Sequence, residues 1–378
     1  MPPLDRITAI FAQQLASLRR VALPLAAIAA VCACATGPSA PLVELTPTAD
    51  ARTWPAPPET PRYVFAGELI GEQDFVEARS KVRRGAARLL RVIAGLAMGR
   101  RRYEELRRPV DGFVGADGSI FVVDMSLKAV AKFDLQQSKF RVWREAADRE
   151  FFSAPSAIAS DGAGGVLVCD AEKAEIIRLS SSGEPLGRFG AAVLKRPLGL
   201  GRDPANGDIY VADAGDHTVK KFSARGKLLA VLGGPGRAPG YFNTPTHVTF
   251  HGGVLYVADT FNFRIQKLTP DGEPLAVFGR NGIMIGDMAR PKGVAVGEGG
   301  RIYVVESLYS RLLVFDPDGR LLMTLTATGK GGLGFYLPAG AWTDDAGRVY
   351  VADMFNGRIV AFQELTPLET EVANAQAG

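Results

Sequence analysis

Cysteine and histidine are both scarce in this chain, three of each in 378 residues. Cys32 and Cys34 sit together in an N-terminal apolar stretch and Cys169 stands alone in the remainder, so a disulfide framework is excluded. There is no CxxC pair and no CxxCH, which removes a covalent c-type haem. Gly-x-Ser-x-Gly and the phosphate-binding loop are also missing, and Gly236, Gly240 and Gly334 read as turn residues rather than a nucleotide cradle. The apolar run VALPLAAIAAVCACA is too short to cross a bilayer comfortably. Charge of one sign is lacking as well, with a formal net of +4. That average hides +8 in residues 77–108 and +2 in residues 1–34, which leaves the rest mildly acidic and makes nucleic acid a poor partner.

What is present is apolar residues at 47% and 43 glycines, enough for a large core built from short strands and tight turns. The stretch TPTHVTFHGGVLYVADTFNFRIQKLTPDGEPLAVFG, from Thr244 to Gly279, recurs in variant form to the C-terminus. Pro109, Pro155, Pro197, Pro245, Pro291 and Pro338 mark one rhythm; Asp124, Asp170, Asp213, Asp259, Glu306 and Asp353 mark the other. Both advance by 42 to 48 residues, which defines six units of one supersecondary structure.

Each unit reads as four antiparallel strands. In the fourth, Pro245 to Phe250 turns at Gly252-Gly253 into Val254 to Ala258; Phe263 to Leu268 follows, and Pro270-Asp271-Gly272 turns into Glu273 to Phe278. Four strands per repeat is the grammar of a propeller blade, so the expected fold is an all-β six-bladed propeller over residues 62–365. The last unit has only three strands, Gly340 to Thr343, Arg348 to Ala352 and Arg358 to Gln363. The orphan run Tyr63 to Ile70 supplies the missing outer strand and closes the ring, which hides two sheet edges. Tyr256-Val257-Ala258-Asp259, Asn262, Arg264-Ile265, Asp271-Gly272 and Phe278-Gly279 resemble the NHL repeat, whose family fold is the six-bladed β-propeller. The resemblance spans roughly residues 109–363. It weakens in the first two units, where Leu127 and Lys173 replace the Asn and Ala129 and Glu175 replace the Arg.

Ahead of the propeller, Arg19-Arg20 and the apolar run form an export signal over residues 1–34. Val31-Cys32-Ala33-Cys34 resembles a bacterial lipobox, with Cys34 as the lipidated residue, although Cys32 departs from the usual residue there; cleavage without lipid is the alternative. Ala35 after the cysteine implies, by the same resemblance, the outer membrane. Expected localisation is therefore the cell envelope, as an outer-membrane lipoprotein or a periplasmic protein. Residues 35–61, rich in Pro, Ala and Thr, read as a tether, and residues 366–378 as a tail. Within the insertion at 76–108, Val82, Ala86, Leu89, Ile93 and Leu96 form a helical stripe. Arg84, Arg88, Arg91, Arg100, Arg101 and Arg102 give it a basic surface. Packing over the propeller with solvated arginines, or recognition of an acidic partner or anionic surface, both fit such a helix.

The acid-containing loops share a face with the connections between blades, and binding belongs to that elaborate face. The residue two after each proline starts the innermost strand at the channel mouth: Asp111, Ala157, Gly199, His247, Gly293 and Gly340. Lactonase- and lyase-type propellers resemble this fold and place metal ligands there, but only Asp111 and His247 offer themselves. His217 and His251 fall on loops at opposite faces, so no metal site or cofactor is expected. Pairs such as Asp259 with Arg264 recur from unit to unit and read as loop braces rather than as acid and base. Cys169 aligns with Ala212, Ala258 and Ala352 and reads as a small core residue. The expected function is a protein-binding or scaffolding module of the envelope, with a metal-dependent lactonase- or lyase-type enzyme as the alternative.

Overall fold

Second strands such as Ile120–Asp124, Val166–Asp170, Ile209–Asp213 and Ile302–Glu306 are buried at every residue. A strand covered on both faces has no polar side to show, which is why IFVVD, VLVCD, IYVAD and IYVVE are nearly continuous apolar runs. The outermost strand Pro274–Phe278 is mostly exposed, and Leu228–Leu232 alternates between half-buried and exposed residues until Leu232 is buried. Between the third and fourth strands of blade four, Gly272 takes φ +92°, the left-handed conformation that the Asp271-Gly272 turn requires.

The computed structural model describes residues 43, 45–48, 51–56, 58–75, 103–326 and 334–366. Five blades are regular four-stranded antiparallel sheets, with innermost strands Pro109–Val114, Pro155–Ser160, Pro197–Arg202, Pro245–His251 and Pro291–Val296. Each innermost strand touches that of the next blade, and Ala341–Thr343 of blade six touches Pro109–Val114 of blade one, so the ring is closed. Apolar clusters fill the spaces between neighbouring blades.

Closure takes the expected route. Tyr63–Leu69 lies antiparallel to Arg358–Glu364, with Phe65 opposite Phe362 and Leu69 opposite Ile359. Across the seam, Arg358 Nη1 donates to Glu68 Oε2 at 2.8 Å. The tether expected over residues 35–61 is partly built into the fold. Thr53–Trp54 adds a fifth strand outside Tyr63–Leu69, Trp54 meets the Phe362 ring edge-on at 5.3 Å, and Leu45 is buried in the space between blades six and one. Two large apolar side chains in a proline-rich stretch outweigh its composition, because each gains apolar contact that a free spacer forgoes.

The insertion returns to the sheet at Glu105, which bridges Gly71, and Leu106 is buried. Its expected helix, with Arg84, Arg88, Arg91, Arg100, Arg101 and Arg102, lies outside the described residues, as do the export segment, Cys34 and residues 367–378 of the tail. Between blades one and two stands a small hairpin that no repeat signal announced, Glu145–Ala147 with Glu150–Phe151.

Candidate functional site

Pro245 pairs with Asp259 and Pro291 with Glu306, so the start of each innermost strand and the end of each second strand lie at one end of the propeller. The repeated acids bind the loops of that face together. Asp259 accepts the Asn243 N–H at 2.6 Å from the preceding connection, together with Arg264 Nε at 2.8 Å and Gln266 Nε2 at 3.0 Å. Asp353 does the same with Tyr336 N–H, Asn356 and Arg358. Blades one and two lack the Asn and Arg, and main chain replaces them. Asp124 accepts the N–H groups of Arg107, Arg108, Ser126 and Leu127, and Asp170 those of Ser153, Ala154, Glu172 and Lys173. In blade three Lys220 stands in, 2.7 Å from Asp213 and 2.6 Å from Asp216. A fully buried carboxylate is tolerated only when so supplied with donors, and one so supplied is a brace, not a free base.

The two channel-mouth residues meet. Asp111 of blade one and His247 of blade four reach across the axis, Nε2 to Oδ1 at 3.3 Å, and both are buried. Val294 N–H points at His247 Nδ1 from 3.4 Å, which leaves the proton on Nε2 to donate to Asp111. Asp111 also accepts the N–H groups of Gly112 and Ile158. The small residues at the equivalent positions have a steric cause. A Cβ on Gly199 would stand 2.5 Å from His247 Cα, and one on Gly340 would stand 2.6 Å from Val110 O. With both ring nitrogens engaged, His247 serves as a bolt across the axis; binding a metal there would cost it one of these bonds. Among the described residues no cluster of three or more His, Cys, Asp or Glu could hold a metal ion. Cys169 is buried beside this layer, and burial, reinforced by Asp111, Asp213 and Asp170, pushes its thiol well above the ordinary value.

One residue nearer the loops lies a feature that reading two places after each proline passed over. The residue directly after the proline is Val110, Ser156, Leu198, Thr246 or Ala339 in the other units, and Lys292 in the fifth. Lys292 is partly buried and its Nζ lies 3.8 Å from Met354 Sδ of blade six. Burial pushes its amine down to about 8, and the charges of Arg290 and Arg108 push the same way. Arg108 lies with its guanidinium 4.7 Å from the Phe355 ring centre, and its buried Nε has no hydrogen-bond partner. Comparing the six residues that follow the prolines would have singled out Lys292 as the charged one.

The same face carries exposed apolar side chains on blades four to six. Tyr241, Phe261, Leu308, Tyr336 and Phe355 are 43 to 56% exposed, and Ile283, Met284 and Ile285 in the connection before blade five are 66 to 72% exposed. Tyr336 and Phe355 pack on each other at 5.3 Å.

Six antiparallel sheets around one axis, each bracing its connection with the acid of a Tyr-Val-Ala-Asp-type loop, define a six-bladed β-propeller. The NHL repeat family model matches residues 194–222, the first three strands of blade three. The NHL-repeat-containing protein 4 of Mus musculus is 32% identical over 77 residues, which cover 20% of this chain and 55% of that relative; the chain thus spans about half the length of the curated relative it matches. Among solved structures, a gluconolactonase of Xanthomonas campestris aligns with a TM-score of 0.53 at 17% identity, over 69% of this chain and 87% of that one. A catalytically inactive virginiamycin B lyase of Staphylococcus aureus, solved with quinupristin, aligns with a TM-score of 0.51 at 14% identity, over 68% and 95%. A protein of unknown function from Bacteroides thetaiotaomicron aligns with a TM-score of 0.54 at 15% identity, over 68% and 70%. At such identities the likeness is one of fold.

Proposed function

We propose that this chain is an envelope-located binding module that docks a protein partner on its loop face. The observation that carries the reading is the set of exposed aromatic and aliphatic side chains on that face over blades four to six, at positions where loop polarity is the norm. Aromatic side chains flanked by arginine are the usual anchors of protein interfaces, and Arg108 beside Phe355 and Arg311 beside Tyr309 supply that pairing. Export under residues 1–34, lipid attachment at Cys34 and recognition of an acidic partner or anionic surface by Arg84, Arg88, Arg91, Arg100, Arg101 and Arg102 complete the proposal. They rest on the sequence alone.

Crosslinking in the native envelope tests it with three proteins: the full chain, a Tyr336→Ser/Phe355→Ser double variant, and a chain lacking residues 76–102. A partner recovered with the full chain and lost with the double variant supports docking on the loop face. Its loss only on deletion assigns recognition to the basic insertion. The same partners with all three would refute both assignments. The second reading, a metal-dependent enzyme of lactonase or lyase type, draws on the buried Asp111 and His247 pair at the axis. Elemental analysis of the purified full chain decides it: one equivalent of metal that disappears in His247→Ala would favour the enzyme.

A further inference from the structure

We propose that the loop-face end of the propeller axis, between blades one, five and six, is a binding site for a small organic anion: a carboxylate or phosphate group carried on an apolar body. Three cations from two segments lie there: Arg108 stands against Phe355, Lys292 against the neighbouring Met354, and Arg290 is separated from Lys292 by Pro291 alone. Arg108 precedes the innermost strand of blade one, Arg290 precedes that of blade five, and Lys292 lies within it. None of the three forms an ion pair among the described residues, whereas Lys220, Arg264 and Arg358 on the same face each hold a buried carboxylate. Arg290 is exposed, so it can follow a ligand; Arg108 and Lys292 are partly buried and fixed.

The groups around Lys292 explain why the site fits an anion. The charges acting on its amine are those of Arg290 and Arg108, and its near contact is the Met354 thioether. The acids of the neighbouring blades are already occupied: Asp124 and Glu306 accept the main-chain N–H groups of Arg108 and Arg290 themselves. Positive charge therefore accumulates at the mouth with its natural counter-ions turned inward, and an arriving carboxylate or phosphate relieves repulsion among all three cations at once. The free Nε of Arg108 gives such a group a donor already stripped of water. The apolar body has a place beside it, since Met354, Phe355 and Tyr336 border the cations, and the Phe355 ring holds the Arg108 guanidinium in place. This site does not depend on whether the wider rim docks a protein, and small probes test it separately.

Calorimetric titration of the full chain with phenyl phosphate, 3-phenylpropionate, inorganic phosphate and neutral 3-phenylpropanol is the experiment. Both aromatic anions are expected to bind, inorganic phosphate more weakly, and the neutral alcohol not at all. Preference between the two aromatic anions assigns the group as phosphate or carboxylate. Lys292→Met and Arg108→Met are each expected to weaken binding at least tenfold, and Lys292→Arg to retain most of it. An NMR titration of the amine after reductive methylation should show the Lys292 pKa rising from about 8 when phenyl phosphate saturates the protein. Equal binding by the wild type and Lys292→Met, equal binding of the neutral alcohol, or no binding of either aromatic anion would overturn the proposal.

Discussion

At the residue scale, one carboxylate per blade holds two loops together, and the blades differ in how they satisfy it. Asp259 is fully buried and takes bonds from Asn243, Asn262, Arg264 and Gln266. Asp259→Ala removes the counter-charge and the Nε acceptor of Arg264, whose side chain is only 11% exposed and keeps three main-chain carbonyls as partners, and is expected to cost about 3 to 5 kcal/mol in urea unfolding, the usual penalty for half of a buried ion pair. Asp259→Asn keeps acceptors without the charge and should cost less. A cost under 1 kcal/mol for the alanine variant would show that the loops hold without the brace. Lys292 illustrates the reverse case, a charge kept where it weakens the fold. Its folded pKa of about 8 lies below the ordinary 10.5, so the unfolded chain binds the proton more tightly. Stability is therefore depressed below pH 8 and recovers as pH rises from about 8 to 10.5. Lys292→Met should unfold later than the wild type at pH 7, by roughly 1 to 3 kcal/mol, with the difference closing by pH 10.5. A difference that stays constant between those two pH values would contradict the direction of the shift. Retaining a destabilising cation at the mouth accords with a binding role, since functional positions commonly trade stability for chemistry.

At the scale of elements, the innermost strands lie so close together that side chains give way to backbone. Gly199 and Gly293 would each place a Cβ within 2.6 Å of a main-chain atom of the next blade. Gly199→Ala is therefore expected to cost about 1 to 3 kcal/mol by overpacking. Gly164→Ala, with open space around it but a φ of +90°, isolates the backbone effect and serves as the comparison in thermal unfolding. If the Gly199 variant unfolds no earlier than the Gly164 variant, steric contact between the strands is not the constraint. The sequence reveals the two inner strands of each blade well: covered second strands cannot alternate and so read as YVAD-type runs, and a proline opens the innermost strand of blades one to five. Pairings between distant segments leave no such trace. Asp111 and His247 meet across the axis although 136 residues separate them, and nothing local to either predicts the other. Thr53–Trp54 was hidden for a different reason, since two residues carry no periodicity and their proline-rich surroundings indicated a spacer. The hairpin at Glu145–Ala147 interrupts a connection rather than a repeat, so the rhythm is silent about it.

At the scale of the whole molecule, stability rests on whether the ring is shut. Blade six takes three strands from the C-terminal end and two from the N-terminal side, Tyr63–Leu69 and Thr53–Trp54, so residues near both ends share one sheet. The seam combines backbone pairing with side-chain locks: Arg358 bridges Glu68 and Asp353, Trp54 packs on Phe362, and Tyr63 OH meets Tyr303 OH of blade five at 3.1 Å. Removing these strands would bare the edge of Arg358–Glu364 and the apolar faces of blades one and five, and a bare strand edge invites pairing with other chains. A chain lacking residues 1–42 keeps both N-terminal strands and sets the reference for the unfolding transition. Deletion of residues 1–70 should lower it by more than 10 °C and produce concentration-dependent association, measured by scanning calorimetry and light scattering, because the missing strands carry a whole blade interface. An unchanged midpoint and a monomer after the longer deletion would mean that the remaining blades hold the ring without its clasp. Since the loop-face positions of Lys292, Arg108 and the aromatic rim are set by the spacing of blades five, six and one, the longer deletion should also abolish binding of aromatic anions.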